Sequence, residues 1–496
     1  MTSLWLRDHR PEPASSPRPG EQYDHVVVGA GLTGLVTALL LARAGGSTAV
    51  LEARHPGAVA TGNTTGKLSL LQGTRASAIA ARHGRETLRA YVDANREGQS
   101  WLLRYCQDHG LHVDRESAVT IATERGDTGA VDAEFRACRA AGLPVRKATP
   151  TELPFRTADA VELPEQAQLD PILLLTTLIS DLREHGGELY SGTRVRDVRP
   201  KATLGGRGPL RVCLDDDATL EAGSVVLATG TPLLDRGGFF GRLHARRSYS
   251  VAFELSEPVP RSMYLRAGDP TVSLRYAWRD RQRVLLVGGF GHDVGRAGSE
   301  QAHVDSLVDW ATTHFPSAVP RERWSAQDYD SIDRLPYVGP LLPGDDRVLV
   351  ATGFAKWGLT NGTAAALAMA GRLLGGHQPW ARPLRTWRPS ELTSLPSAAS
   401  LNAAVSYRMA SGWTRLAMSK LRRNEATPCP VRPVCTHLGG VLEWNDTESS
   451  WDCPLHGSRF AADGRVLEGP ATRPLHPKPL HPKRPPDAVP HSARPE

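Results

Sequence analysis

Long apolar runs are missing from this chain of 496 residues. Its most hydrophobic stretches, Gly34 to Ala42 and Ile172 to Ile179, fall well short of the roughly 20 residues that cross a bilayer, so no integral membrane segment is expected. Met1 to Gly20 carries charges and several prolines but no apolar core, which speaks against a signal peptide. Cysteine is scarce, six in all. Four of them, Cys106, Cys138, Cys213 and Cys429, follow no framework spacing, which argues against a disulfide-stapled fold and for a reducing, cytoplasmic setting. Charge of one sign is not concentrated. The net +6 is spread along the chain with an excess toward the C-terminal end, and it forms no stripe of the kind that binds nucleic acid. Arginine greatly outnumbers lysine, a bias that genomic base composition explains without a nucleic-acid partner.

What is present is the composition of a soluble globular protein long enough for about two to four domains. Asp24 to Glu52 reads as strand, glycine turn, helix (Leu32 to Ala44) and strand, one βαβ unit. Helical periodicity recurs at Ala76 to Asp108, Ala130 to Ala141 and Glu300 to Thr313, and strand-like alternation at Val195 to Leu227 and Ser248 to Gly289. The mixture of parallel and antiparallel signals predicts an α/β fold, a Rossmann-like nucleotide-binding domain with an inserted mixed-sheet domain. Leu401 to Leu421 places Val405, Met409, Trp413, Leu416 and Leu421 near one helical face. The proline-rich end, with His476, His481 and His491, reads as a disordered tail rather than a metal tract.

Within the first unit, Gly29-Ala30-Gly31-Leu32-Thr33-Gly34 follows a strand and opens a helix, and Glu52 ends the next strand. The glycines permit a tight turn, close approach of a pyrophosphate and close helix packing, and the helix N-terminus attracts the phosphates. Glu52 suits the ribose hydroxyls. Near the other end stand Cys435-Thr-His437 and Cys453-Pro-Leu-His456, each in a glycine-rich loop. Thiolates suit the inner iron of a [2Fe-2S] cluster, and imidazoles can replace the thiolates of the outer iron. A mononuclear zinc on the same four side chains is the competing assignment. Zinc fingers, however, place both cysteines in one box and both histidines in the other.

These features carry two resemblances. Trp451-Asp-Cys-Pro-Leu-His-Gly-Ser-Arg-Phe460 and the later Gly469-Pro470 resemble the Rieske iron-sulfur module. That likeness implies Cys435 and Cys453 on one iron and His437 and His456 on the other. Gly440 and Leu455 stand where better known members pair cysteines in a disulfide, so the loops lack a covalent brace. The strands that precede the first loop in a complete module are not evident, which predicts a shortened β-rich module. The stretch from Tyr23 to Trp387, with its glycine strands Val225 to Gly230 and Val348 to Gly353, resembles FAD-dependent oxidoreductases of the D-amino acid oxidase and sarcosine oxidase group. By that likeness Gly353, Phe354, Lys356, Trp357, Gly358, Leu359 and Thr360 lie against a flavin ring. Lys356 and Trp357 are equally readable as a packing pair at a helix start. Thr64, Thr65, Gly66 and Lys67 follow the second strand as the group's pyrophosphate and flavin loop does, and Ala53, Arg54, Val195, Ala228, Thr229 and Gly230 complete the expected FAD contacts. No cysteine occurs in Asp330 to Gly339, so the likeness implies noncovalent FAD.

The expected division is a disordered N-terminus (1–22) and an oxidoreductase body (23–387), followed by a linker with a helix (388–428), a Rieske module (429–475) and a disordered tail (476–496). Within the body, about 23–75, 170–245 and 330–387 would bind FAD, and 76–169 and 246–329 would form the substrate domain. The combined resemblance implies oxidation of a C–N bond in a small amine or amino acid, with electrons passed through the cluster to a ferredoxin-like or other carrier. Arg275 is the candidate carboxylate clamp, with Tyr249 or Tyr276 lining the pocket. Two alternatives stand beside this expectation. One is a plain oxygen-using oxidase with a structural or zinc-loaded C-terminal module, the other a non-catalytic redox-sensing flavoprotein.

Overall fold

The computed structural model describes residues 1–203, 206–421 and 430–478. A sheet of eight strands forms its first layer. Its path runs Tyr337–Leu342, Asp345–Thr352, Thr219–Leu227, Gln22–Val28, Thr48–Glu52, Glu188–Ser191, and the hairpin Val195–Thr203 with Gly206–Leu214 joins off the path. The central pairings are parallel. Such strands are covered on both faces, which is why Val26, Val27, Val225 and Val226 form apolar runs with no exposed surface. Helix Leu32–Arg43 and helix Gly358–Leu373 pack closely, for a Cβ on Gly362 would lie 2.4 Å from Thr33 Oγ1. The long helix Arg75–Asp108 is broken at Gly84, whose φ is +80°.

The second sheet has nine strands and is mostly antiparallel. Its order is Val319–Ser331, Leu243–Glu254, Gln282–Asp293, Val272–Arg279, Met263–Arg266, Asp114–Ala122, Asp159–Gln168, Lys67–Leu68, with Arg146–Lys147 off the path. Helix Glu300–His314 covers one face through Val304, Leu307 and Ala311. A third sheet joins Glu443–Asn445, Ser450–Asp452, Arg459–Ala461 and Val466–Glu468. Helix Leu395–Leu421 lies against it through Val405 and Met409, and begins earlier than its periodicity predicts.

Two boundary expectations are corrected. The N-terminus is not disordered: Ser3, Leu4 and Trp5 are buried in a short 3-10 turn, Leu4–Leu6. Ser3 Oγ donates to Gly62 O at 2.6 Å and Trp5 Nε1 to Thr64 O at 2.7 Å. Three adjacent apolar residues and an indole donor were enough to dock a segment whose prolines suggest solvent. The last module extends past 475, since His476 O accepts from Arg432 and Lys478 N donates to Pro430 O. The rest of the expected tail, from 479, and the end of the expected linker, 422–429, lie outside the described residues.

Candidate active site

Four of the segments expected to touch FAD follow the carboxyl ends of neighbouring parallel strands. Val28 pairs with Leu51 and Leu227, and Leu227 with Val350. Gly29, Ala53, Ala228 and Gly353 therefore emerge side by side at one sheet edge, the usual place for a ligand in an open parallel sheet. Gly29 has φ +106°, and a Cβ there would meet Ala228 O at 2.6 Å. A Cβ on Gly34 would lie 1.9 Å from Gly29 O, so only glycine lets the helix start this close to the strand. That helix, Leu32–Arg43, has Gly31 as its N-cap and so no capping side chain of its own, which leaves first-turn amides beyond Leu32 N free for an anion. Gly31 faces Thr61 Oγ1, which accepts from Leu32 N at 3.2 Å. Glu52 accepts from Ala30 N at 2.9 Å and from Arg54 N at 2.8 Å, and each oxygen keeps a lone pair for a ribose hydroxyl. Val195 is buried beside this strand end, where Thr193 N donates to Glu52 O. Thr352 Oγ1 donates to Gly230 O, and Thr229 Oγ1 to Thr231 O. These cradles fit a dinucleotide.

The loop through Thr64, Thr65, Gly66 and Lys67 leads into the second sheet. Arg275 reaches it from strand Val272–Arg279. Its NH1 donates to Thr65 O at 2.6 Å, its Nε to Tyr276 O at 2.7 Å, and its guanidinium lies 5.4 Å from the Trp5 ring centre. Lys67 Nζ donates to Tyr264 O at 2.7 Å. Burial lowers the pKa of both cations, Arg275 to about 10 and Lys67 well below its ordinary value, and the charge of Arg275 pushes Lys67 further down. Among the described residues neither forms an ion pair. Tyr249 and Tyr276 do not line this side, which corrects the expectation for both. Successive strand residues face opposite ways. Tyr276 points away from Arg275 to Glu116, and Tyr249 bonds His292 on the other face.

The turn after Asp345–Thr352 holds Ala355 and Lys356 at φ +49° and +71°. Such conformations cost energy in non-glycine residues and need a reason. Here Asp328 holds the turn, accepting from Lys356 N and, at 2.7 Å, from Tyr329 N. Lys356 Nζ donates to Ser248 Oγ at 2.5 Å. The lysine is reached by solvent from the cleft yet enclosed by protein, and that enclosure, then Arg246, lowers its pKa to about 8. Burial raises Asp328 to about 6 against the two amides it accepts. Trp357 caps helix Gly358–Leu373, and its backbone N–H bonds Phe354 O. Leu359 and Thr360 are buried, and Thr360 Oγ1 accepts from Gln72 at 3.1 Å. The sequence named Lys356 and Trp357 but not Asp328, whose strand partner could not be foreseen.

The two Cys-His loops are built alike. Cys435 N donates to Gly440 O and Gly439 N to Cys435 O, while Cys453 N donates to Ser458 O and Gly457 N to Cys453 O. Both thiols are buried. The two sulfurs are close enough to couple, which lowers the pKa of Cys435 and, with burial, raises that of Cys453. The imidazole centres of His437 and His456 are 5.2 Å apart at 86°, and Nδ1 of each is buried without a hydrogen-bond partner. Two orphaned nitrogens and two adjacent sulfurs fit a binuclear cluster, two donors to each iron. Among the described residues no three His, Cys, Asp or Glu groups converge to hold a single ion. Leu455 fills the space at Gly440, where a Cβ would lie 2.6 Å from Leu455 Cδ1.

The second cluster loop rests on the second sheet. Gln327 Nε2 donates to Gly457 O at 2.8 Å and to Tyr329 OH at 2.9 Å, and Tyr329 OH donates to Gly469 O at 3.2 Å. Arg247, with no exposed side-chain surface, pairs with Glu448 and, at 3.4 Å, Asp452. On the opposite face of these same two strands are Ser248 and Asp328, and Ala355 N donates to Tyr329 O at 3.0 Å. Tyr329 thus touches the glycine turn with its backbone and the cluster module with its hydroxyl. The second sheet of the oxidoreductase body supports the second cluster loop.

A parallel-sheet dinucleotide cleft joined to an iron-sulfur pocket defines an oxidoreductase with two redox centres. Residues 24–372 match the FAD dependent oxidoreductase family known as DAO, and the chain belongs to that family. Residues 414–479 match the Rieske [2Fe-2S] domain, so its cofactors are FAD and a [2Fe-2S] cluster. Over 478 residues the chain is 26% identical to the putative Rieske 2Fe-2S iron-sulfur protein YhfW of Bacillus subtilis (strain 168), covering 91% of this chain and 92% of that protein. The cluster region alone is 57% identical over 45 residues to the cytochrome b6-f complex iron-sulfur subunit of Synechococcus sp. (strain JA-3-3Ab), 9% of this chain and 26% of that subunit. In fold, glycine oxidase from Geobacillus kaustophilus superposes with a TM-score of 0.61 at 19% identity, covering 74% of this chain and 99% of the oxidase. L-proline dehydrogenase from P. horikoshii gives 0.61 at 17%, covering 74% and 98%. Among the described residues no helix is long and apolar enough to cross a membrane.

Proposed function

We propose that this enzyme dehydrogenates the C–N bond of an amino acid and delivers the electrons through its Rieske module to an external one-electron carrier, a ferredoxin-like protein being the type of partner that fits. The observation that carries this reading is the shared pair of strands, Leu243–Glu254 and Val319–Ser331. One face bears the glycine turn and its Lys356, and the other seats the cluster loop. Bound FAD supplies a two-electron acceptor and the cluster a one-electron carrier. Loss of two electrons and two protons from a CH–NH unit leaves an imine, and the electrons depart singly to the carrier.

The chain's own residues favour an amino acid over a simple amine. Arg275 is a buried cation whose hydrogen bonds among the described residues go to carbonyls, with Asp114 and Asp170 acting on it only through space, and a substrate carboxylate offers a direct partner. Ser248, Lys356 and Asp328 define the polar edge of the cleft. Trp5, packed on the guanidinium and on Thr64, keeps water from this end.

The test is anaerobic mixing of the purified holoenzyme with a panel of amino acids and amines. An effective substrate should bleach the flavin and then develop the EPR signal of a reduced [2Fe-2S] cluster. Arg275→Lys should raise KM for an amino acid because an ammonium cannot reproduce the planar fork. A cluster that stays oxidised while oxygen yields peroxide stoichiometrically would make the plain oxidase the better account.

A further inference from the structure

The loop that follows strand Thr219–Leu227 runs from the flavin-side Gly230 directly to the cluster histidines. Asp235 Oδ1 lies 2.6 Å from His437 Nε2. Phe240, on the 3-10 turn Phe239–Gly241, meets both imidazoles edge-on, with ring centres 6.0 Å from His437 and 5.3 Å from His456. The loop is firmly held. Gly238 N donates to Asp235 O, Phe239 is buried against Tyr337 at 5.6 Å, and Arg242 lies over both of those rings. His437 is nearly enclosed, its side chain 5% exposed, whereas Asp235 is about half exposed at 51%.

We propose that Asp235 is a positioning residue for the cluster: its carboxylate fixes the His437 ring with Nδ1 toward iron, and its charge lowers the reduction potential. A carboxylate can only accept, so His437 Nε2 must carry the proton and Nδ1 keeps its lone pair. That is the atom left buried and unpartnered. A hydrogen-bonded carboxylate behind a ligating histidine fixes the tautomer and makes the nitrogen a stronger donor. The stronger donor and the nearby negative charge both favour the oxidised cluster, which carries one electron fewer. The two histidines are therefore unlike: among the described contacts, His456 has the Phe240 edge but no carboxylate. Because Asp235 belongs to the FAD domain, the potential becomes a property of the docked pair of modules.

The experiment is an EPR-monitored redox titration of holoenzyme at one fixed pH, with iron and sulfide analysis alongside. Asp235→Asn keeps the shape and removes the charge. It should retain the cluster, change the EPR line shape, and shift the reduced-to-oxidised ratio at a given ambient potential about tenfold toward reduced, an upward shift of about 59 mV for a one-electron couple. Asp235→Glu should recover most of the wild-type potential. If Asp235→Asn loses its iron, Asp235→Ser is read in its place. Loss from both with retention in Asp235→Glu also supports the proposal. An intact cluster whose ratio moves less than about threefold, or toward oxidised, overturns it. So does loss of iron from all three variants, which would show a merely structural contact.

Discussion

Replacing Arg247 by methionine should loosen the cluster module from the oxidoreductase body. Arg247 has no exposed side-chain surface and bonds Ser325 Oγ at 2.8 Å and Gln327 Oε1 at 2.9 Å within its own sheet. Across the interface it faces Glu448 and Asp452, whose side chains are 13% and 1% exposed. Arg459 also pairs with both and reaches Glu468 at 3.6 Å. Without Arg247, three buried carboxylates share one contacting arginine. Removing one partner of a buried pair costs about 3–5 kcal/mol. Arg459 remains, so the low end applies, and about 3 kcal/mol is roughly a hundredfold in the docking equilibrium. Hydrogen exchange across 443–468 should accelerate by that factor, and cluster absorbance should be lost at a lower temperature than flavin. Burial opposes ionisation of Glu448 and Asp452, yet the two arginines hold both below the usual carboxylate range. Groups depressed in the folded state stabilise above their unfolded pKa and lose that contribution as pH falls through the folded value. The contribution of Glu448 and Asp452 to wild-type docking should therefore be lost below about pH 4, and in the Arg247→Met variant from a higher pH, while Glu468, raised by burial to about 7, makes docking weaken as pH rises toward 7. Exchange rates within about fivefold of wild type would refute the reasoning.

Gly34→Ala places a methyl carbon 1.9 Å from Gly29 O, so the purified protein should lack FAD, as its absorbance would show. Gly31→Ala meets the Thr61 hydroxyl at 3.2 Å within the protein and would also crowd an approaching pyrophosphate, so it should weaken FAD binding, measured by fluorescence on reconstitution. Trp5→Ala removes the bond to Thr64 O and the cover over Arg275. Loss of one buried hydrogen bond, about 1 kcal/mol, should raise the FAD dissociation constant severalfold. The rate of flavin reduction should plateau between pH 6 and pH 8, where Asp328 is ionised and Lys356 protonated. Protonation of Asp328 should reduce it below that window and deprotonation of Lys356 above it, and stopped-flow traces of Lys356→Met should lack the upper limb.

The parts legible in the sequence are those whose chemistry is local. Gly29 to Gly34, Glu52, Ala228 to Gly230 and Gly353 each follow an apolar strand, and parallel pairing alone then sets them side by side. The two Cys-His boxes are likewise complete in a few residues each. Legibility ended where a face had to be chosen. In Ser248-Tyr249 and Arg275-Tyr276 one residue of each pair lies on the face toward Lys356 and the Thr64–Lys67 loop and the other on the opposite face, and a shift of one residue exchanges them. Arg247 and Ser248 divide the same way, one for the cluster module and one for the cleft. Asp328, Tyr329 and Asp235 gain their meaning from partners distant in the chain, which no spacing rule reveals.

The shortened Rieske module explains why those partners matter. Its core is small: Val431, Leu442, Leu455, Phe460, Val466, Ala471 and Leu475 surround the two thiols, and its strands are three residues each. So little apolar surface leaves a small unit marginal without further support. Leu455 against Gly440 replaces a covalent brace with a contact. The missing floor comes from the strands that form one wall of the cleft, through Ala245, Gln327 and Tyr329, and the missing side from Asp235 and Phe240. Support and proximity therefore have the same cause. A module that leans on the oxidoreductase sheet through its second loop is thereby set on the far face of the strands that carry Ser248 and Asp328, and the electron exchange proposed above would then follow from how the smaller module is held.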